Sequence, residues 1–218
     1  MAEKFDIYDE RGYGIGTAER RDVHALGLWH RSFHCWLARR AEERTTRILF
    51  QRRSAGKDTN PDCFDITVAG HLSAGETVRD AAREMDEEIG WSVPFESLRF
   101  FGAVQEEGEG TVRSVPFVDR ETSYVYGCLT DLAMDSFRLQ REEVSGLYEA
   151  DADELISLML GERESVLAAG VAYASEQEEA LTPAVAEVRA DLFVPRERSY
   201  YVDVFRFLAG LAWKESVR

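Results

Sequence analysis

With 218 residues, 44% of them hydrophobic, the chain has enough apolar material for one good core and a small appendage, so a single domain over 1–218 is the default. Its 41 acidic residues against 26 basic ones give a formal charge of -15, which repels a phosphate backbone and excludes nucleic acid as the main partner. The cysteines, Cys35, Cys63 and Cys128, form no CxxC pattern, so neither a disulfide framework nor a zinc knuckle is indicated.

The opening MAEKFDIYDERG is charged and lacks the apolar core of a signal peptide. No apolar run approaches the ~20 residues a membrane helix needs. The expected location is the cytoplasm, with no membrane partner. FDIYD (5–9) and the following ERGYGIG read as a short strand and a glycine turn. RSFHCWLAR (31–39) and RILFQRR (47–53) read as two strands around a polar connection, a meander entering a sheet.

KDTNPDCFD (57–65) is rich in turn formers, and ITVAGHL leads from a short strand into a loop. A helix is predicted from about Val78 to Ile89, with Thr77 as N-cap and Gly90 as its stop. At about 100° per residue, Val78, Ala81, Ala82, Met85 and Ile89 share one face and Glu84, Glu87 and Glu88 share another. Like charges at i,i+3 and i,i+4 each cost ~0.2–0.5 kcal/mol in an isolated helix, and a divalent cation reverses that penalty. Hard cations such as Mg²⁺ take oxygen ligands and keep positions for phosphate oxygens. An acidic helix face is otherwise simply solvated.

RFFGAVQEE (99–107) and TSYVYGCLT (122–130) read as later strands separated by a glutamate- and glycine-rich loop. After EEVSGLYEA the pattern turns helical: ADELISLMLGERESVLAAGVAYASEQEEAL has helical spacing, and YYVDVFRFLAGLAW predicts an amphipathic closing helix with Phe205, Leu208 and Leu211 on one face. The core is expected over about 28–150, with a helical extension over 150–218.

Gly70, five residues, Glu76, and then Arg83-Glu84-Met85-x-Glu87-Glu88-x-Gly90-Trp91 closely resemble the Nudix box, the loop-helix signature of hydrolases that cut diphosphate linkages. REMDEEIG fits residue for residue, but six residues separate Glu76 from Arg83 where the family has seven. The resemblance implies an α/β fold, the Nudix α/β/α sandwich with a mixed β-sheet, here with additional C-terminal helices that either cover the cleft or serve a homodimer. It also implies that Glu84, Glu87 and Glu88 bind Mg²⁺ or Mn²⁺ with the carbonyl of Ala69 or Gly70, and that Arg83 orients a glutamate. The missing residue puts the placement of Glu76 in question.

Outside the box, YDERGYGIGTAERRDVHALGLWHRSFHCWL and FQRRSAGKDTNPDCFDITVAGHLSAGE resemble isopentenyl-diphosphate isomerase, a branch of the same superfamily. Its metal is held by three histidines and two acidic groups, which match His24, His30, His71, Asp119 and Glu121, an alternative second site. Arg52, Arg53 and Lys57 match the segment that contacts diphosphate there, and guanidinium groups grip phosphate oxygens bidentately. The isomerase cysteine is replaced by Ala69, and its cation-facing tryptophan corresponds to Glu149.

The expected activity is therefore hydrolysis of a small-molecule diphosphate, a nucleoside diphosphate derivative, dinucleotide or prenyl diphosphate, with Glu84, Glu87, Glu88 or Glu121 accepting the proton of water. An isomerase-like enzyme and a non-catalytic phosphometabolite-binding module are the alternatives. Trp29, Phe33, Tyr124 and Tyr126 are aromatic side chains suited either to the leaving group or to the core.

Overall fold

The computed structural model describes residues 3–112, 115–174, 178 and 180–214. The chain opens with a hairpin, β1 (Lys4–Tyr8) and β2 (Gly14–Glu19), followed by a short helix α1 (Arg20–Leu26) that ends on Gly27 at φ 62. Strands β3 (Trp29–Arg40) and β4 (Thr46–Arg53) lead to two short strands, β5 (Phe64–Asp65) and β6 (Val68–His71). Helices α2 (Val78–Ala81) and α3 (Glu84–Ile89) precede the long hairpin β7 (Arg99–Val112) and β8 (Val115–Leu129). Strand β9 (Val144–Asp151), helix α4 (Ala152–Met159), the hairpin β10 (Val166–Tyr173) and β11 (Leu181–Val188), and helix α5 (Arg198–Lys214) complete it.

The sheet runs β11-β10-β9-β4-β3-β1-β2, with β6 and β8 also on β3, β5 on β4 and β7 on β8. The β3–β8 ladder is parallel; the β3–β4 and β7–β8 ladders are antiparallel, so the sheet is mixed. Strands β3 and β4 pair only over Leu37–Arg40 and Thr46–Leu49; beyond that point β6 takes the place beside β3 and β5 the place beside β4. Thr67 sits fully buried at this fork. Its hydroxyl accepts from Leu37 N (2.9 Å) and donates to Leu49 O, satisfying the two backbone groups left over as the ladder parts.

Alternation along β3 builds two cores. Phe33, Cys35 and Leu37 pack with Val68 against Ala81, Met85 and Ile89 of the acidic helix; Trp36 and Ala38 pack with Ile48 and Phe50 against Leu155 and Leu158 of α4 and Tyr201, Phe205 and Leu208 of α5. Helical layers on both faces make the expected α/β/α sandwich. Cys35 and Cys128 are buried, and Cys63 is half-buried.

Three expectations need correction. The helix predicted over Val78–Ile89 keeps its Thr77 cap, a reciprocal capping box with Asp80, and its Gly90 stop at φ 64, but it breaks at Ala82 and Arg83. There Ala82 N bonds Arg79 O, Arg83 N bonds Asp80 O and Met85 N bonds Ala82 O, the tighter i to i−3 pattern of a 3₁₀ turn. Second, the strands expected over 99–107 and 122–130 extend toward each other through the glutamate-rich segment as one hairpin.

Third, the 150–218 extension is not all helical. Gly161 at φ 76 follows α4, and VLAAGVAY switches to a two-residue period, with Val166 and Ala168 buried and Leu167 and Ala169 exposed. Small residues that tolerate helical spacing also suit a strand, and pairing with β9 and β11 decides the matter. Residues 175–177 and 179 of that expected helix lie outside the described residues.

Candidate active site

The box glutamates meet the fork. Gly70 of β6 has no side chain, and a Cβ built there lies 2.4–2.6 Å from the Glu84 side chain, so only glycine lets that carboxylate lie against the strand. Glu88 is 4% exposed, and its Oε2 accepts from Ala69 N (3.2 Å) and from Gln51 Nε2 (3.3 Å). Burial pushes its carboxyl up to about 8, with Lys57 opposing the shift. Burial also raises Glu84, against the pull of Arg83. Glu87 is half-exposed at the rim and accepts from Arg83 Nη1 at 2.9 Å.

Arg83 organises the cluster. Its Nε and Nη2 bond both oxygens of Glu76 (3.0 and 3.2 Å), and Nη1 reaches Glu84 and Glu87. The shortened box therefore still delivers Glu76 to Arg83, and Glu76 also accepts from Ser73 N at 2.8 Å. The hydrogen bonds to Glu76 lead in holding the guanidinium above its ordinary value. One guanidinium among Glu76, Glu84 and Glu87, with Glu88 alongside, leaves carboxylate charge uncompensated. Oxygen donors are the type a hard divalent cation takes, but the donor sets that converge within 4.8 Å among the described residues are the two at His30, on the other side of β6.

Side chains alternate on β6, so His71 points to the opposite side from Gly70. There His24 of α1, His30 of β3 and His71 place ring nitrogens within 4.8 Å of one another, and His30, Asp119 and Glu121 form a second such set. His71 Nε2 lies 2.9 Å from Glu121 Oε1; His30 Nε2 lies 3.4 Å from the same oxygen and 3.5 Å from Asp119 Oδ1, and His24 Nε2 lies 3.5 Å from Asp119 Oδ1. His30 Nδ1 faces Leu28 O at 3.1 Å, where only an N–H fits, so Nε2 of the neutral ring turns a lone pair toward carboxylate oxygens. His30 Nε2 and Asp119 Oδ1 are buried without a hydrogen-bond partner. A proton or a cation resolves that opposition, and the mixed nitrogen and oxygen set fits Mn²⁺ or Zn²⁺.

Burial lowers His71, partly offset by Glu121; at His30 burial also opposes the charged form, but the negative charges of Glu121 and Asp119 outweigh it and raise the ring. Against the cost of its own burial, Glu121 is held well below the ordinary carboxylate range by His71 and His30. Phe5, fully buried on β1, stacks on His30 (5.3 Å) and His71 (4.8 Å) and roofs the cluster.

The basic segment divides. Arg53 bonds Thr59 O, Asn60 O and Asp65 Oδ2 (3.0 Å) and is 13% exposed, so it braces its own loop and does not present a free fork to a ligand. Lys57 pairs with Glu143 and carries its charge to Glu88. Arg52 bonds Asp62 (3.2 Å) and stays substantially exposed. Phe33 is core, Tyr126 packs against it at 5.7 Å, and Tyr124 lies 5.7 Å from the Arg31 guanidinium, which also covers Tyr8; Trp29 is half-buried. Glu149 is ion-paired with Arg39 at 2.9 Å, nine residues along β3 from His30 and so about 30 Å away.

Sequence reasoning missed Gln51, Asp65, Glu106 and Arg196. The only local signal was an aspartate inside the apolar run CFDITV.

Residues 28–169 match the NUDIX domain family. Over 212 residues the chain is 36% identical to a Nudix hydrolase of Clostridium acetobutylicum, covering 95% of this chain and 98% of that one. Over 89 residues it is 39% identical to the isopentenyl-diphosphate Delta-isomerase of Streptomyces griseus, covering 40% and 43% of the two chains. The solved structure of DR0079 from Deinococcus radiodurans shares the fold, with a TM-score of 0.54 at 20% identity over 73% of this chain and 90% of that one. The chain belongs to the Nudix family and is a Nudix hydrolase, an enzyme class that uses divalent cations and acts on small molecules. Among the described residues no helix is long and apolar enough to cross a membrane.

Proposed function

We propose that this hydrolase cleaves a diphosphate linkage, in a nucleoside diphosphate derivative, dinucleotide or prenyl diphosphate, by attack of water on phosphorus. The observation that carries the reading is geometric: Glu88 is a carboxyl only 4% exposed, held by Ala69 N and Gln51 Nε2, and Glu84 lies against Gly70, where any side chain would displace it. Such a group is costly unless a cation joins it. Glu84, Glu87 and Glu88, with the carbonyl of Ala69 or Gly70, are the proposed ligands for Mg²⁺ or Mn²⁺. When bound, the cation supplies Lewis-acid stabilisation of charge on the phosphate oxygens.

The protein groups do the rest. Arg83 fixes Glu84 and Glu87 relative to Glu76, while Lys57 and Arg52 offer positive charge to a diphosphate entering a strongly negative molecule. Glu84, Glu87, Glu88 or Glu121 accepts the proton of the attacking water. Product release from a panel of nucleoside, dinucleotide, sugar and prenyl diphosphates with Mg²⁺ or Mn²⁺, run beside Glu87→Gln, tests this. Turnover that the variant abolishes supports the glutamate cradle; silence across the panel from folded protein removes the reading.

The partnerless His30 Nε2 and Asp119 Oδ1 favour a second reading, in which a cation in the histidine cluster serves isomerase-like chemistry. Ala69, where the isomerases have cysteine, weighs against it. Deuterium entering isopentenyl diphosphate in heavy water would restore it.

A further inference from the structure

Arg196 lies outside the matched family region, in the segment that leads into α5, yet its guanidinium is buried between carboxylates of β5 and β7. It is 11% exposed and holds two carboxylates: Nη1 bonds Asp65 Oδ1 at 2.7 Å and Nε bonds Glu106 at 3.2 Å. Nη1 also donates to the Tyr201 hydroxyl (3.2 Å), which donates to Val194 O (2.7 Å). Val194 N in turn bonds Phe64 O at 2.9 Å, tying this segment along β5. Beyond each carboxylate the network continues toward a side of β6. The other oxygen of Asp65 accepts from Arg53, and Arg53 clamps Thr59 O and Asn60 O in the 54–63 loop. That loop needs a clamp, since Asn60 and Asp62 hold positive φ (46 and 62), and it carries Lys57, whose charge acts on Glu88. On the other side, Glu106 stands opposite Glu121 in the β7–β8 register, where like charges repel unless a cation holds one of them.

We propose that Arg196 is a positioning residue of the cleft: through Asp65 and Arg53 it sets the loop that presents Lys57 to a diphosphate, and through Glu106 it fixes the carboxylate facing Glu121. The proposal deepens the diphosphate reading and rests on it for the identity of the ligand. A planar fork with fixed donors spans two carboxylates in a way that a single ammonium does not, so Arg196→Lys keeps the charge and loses the span.

The test is amide hydrogen exchange in the intact 218-residue chain, together with binding of imidodiphosphate, a non-hydrolysable diphosphate, in the presence of Mn²⁺. In Arg196→Lys and in Asp65→Asn, exchange over 54–63 rises about tenfold or more while the central part of β3 and α5 keep their protection. Imidodiphosphate then binds about tenfold more weakly, and any substrate found shows the loss in KM with kcat within about threefold. Arg189→Lys, on an exposed pair with Asp191 in the same segment, leaves both readouts unchanged. Unaltered exchange at 54–63, or exchange rising evenly across sheet and helices, overturns the proposal. Failure of the unmutated protein to bind imidodiphosphate counts against the diphosphate reading, and the exchange pattern then decides the role of Arg196.

Discussion

The two sides of β6 handle negative charge in opposite ways. On the Gly70 side, burial raises Glu84 and Glu88 because protein cations are too few to hold the whole set ionised. On the His71 side, Glu121 is held below its ordinary range because two imidazoles face it. Two residues adjacent in sequence thus serve a carboxylate cluster with few protein cations and a mixed cluster in which His30 Nε2 and Asp119 Oδ1 are still without a hydrogen-bond partner. Proton exchange with a metal is expected to dominate the first, and lone-pair donation the second.

The sharpest way to break this comparison is Glu88→Gln, for which a loss of about 10³ in kcat is expected if the carboxylate side performs the chemistry. The same change should stabilise the metal-free protein. A carboxyl raised in the folded state contributes stability that is fully present below its unfolded value, about 4.3, and that is lost as pH rises to about 8. Urea unfolding at pH 6 and pH 8.5 should show a decline in the unmutated protein that Glu88→Gln reduces. Gly70→Ala comes next: the methyl displaces Glu84 without touching its charge, and about a 10²-fold fall in kcat is expected from misplacement alone.

His30→Ala sharpens the other side. Removal of a ring that faces Asp119 and Glu121 should cost about 10–100-fold in Mn²⁺ affinity at that cluster, read by electron paramagnetic resonance, with a smaller effect on turnover than Glu88→Gln. The reverse order of the two activities would transfer the chemistry to the histidines. The smallest effect is in pH: binding that ionises Glu88 releases about one proton, so Mn²⁺ affinity on the carboxylate side should rise up to about tenfold per pH unit below pH 8 and level off above it. A flat profile there would mean that the cation does not engage Glu88.

The legible parts of the molecule were those whose signal is local. The glutamates, the Thr77 cap and the Gly90 stop lie within one short stretch, and the structure keeps the two helix ends where spacing put them. The β10–β11 hairpin was misread because alanine-rich segments satisfy either period until a neighbouring strand pairs with them. Arg53 looked available for phosphate because only tertiary contact reveals that its donors are occupied. The Arg196 network joins residues 90 and 131 positions apart, a separation at which one sequence carries no pairing signal. Helix α1, which brings His24 to the cluster, has a single buried residue, Val23, and so too little apolar periodicity to be seen.

Thr67 has a consequence for how such a cleft is carved. The opening between β3 and β4 is held by one hydroxyl that answers a backbone donor and a backbone acceptor at once, so the hollow is a product of peptide valence and not of bulky side chains prising strands apart. Valine fills the same space but is mute at both positions, leaving each peptide group dry at about 1–3 kcal/mol apiece.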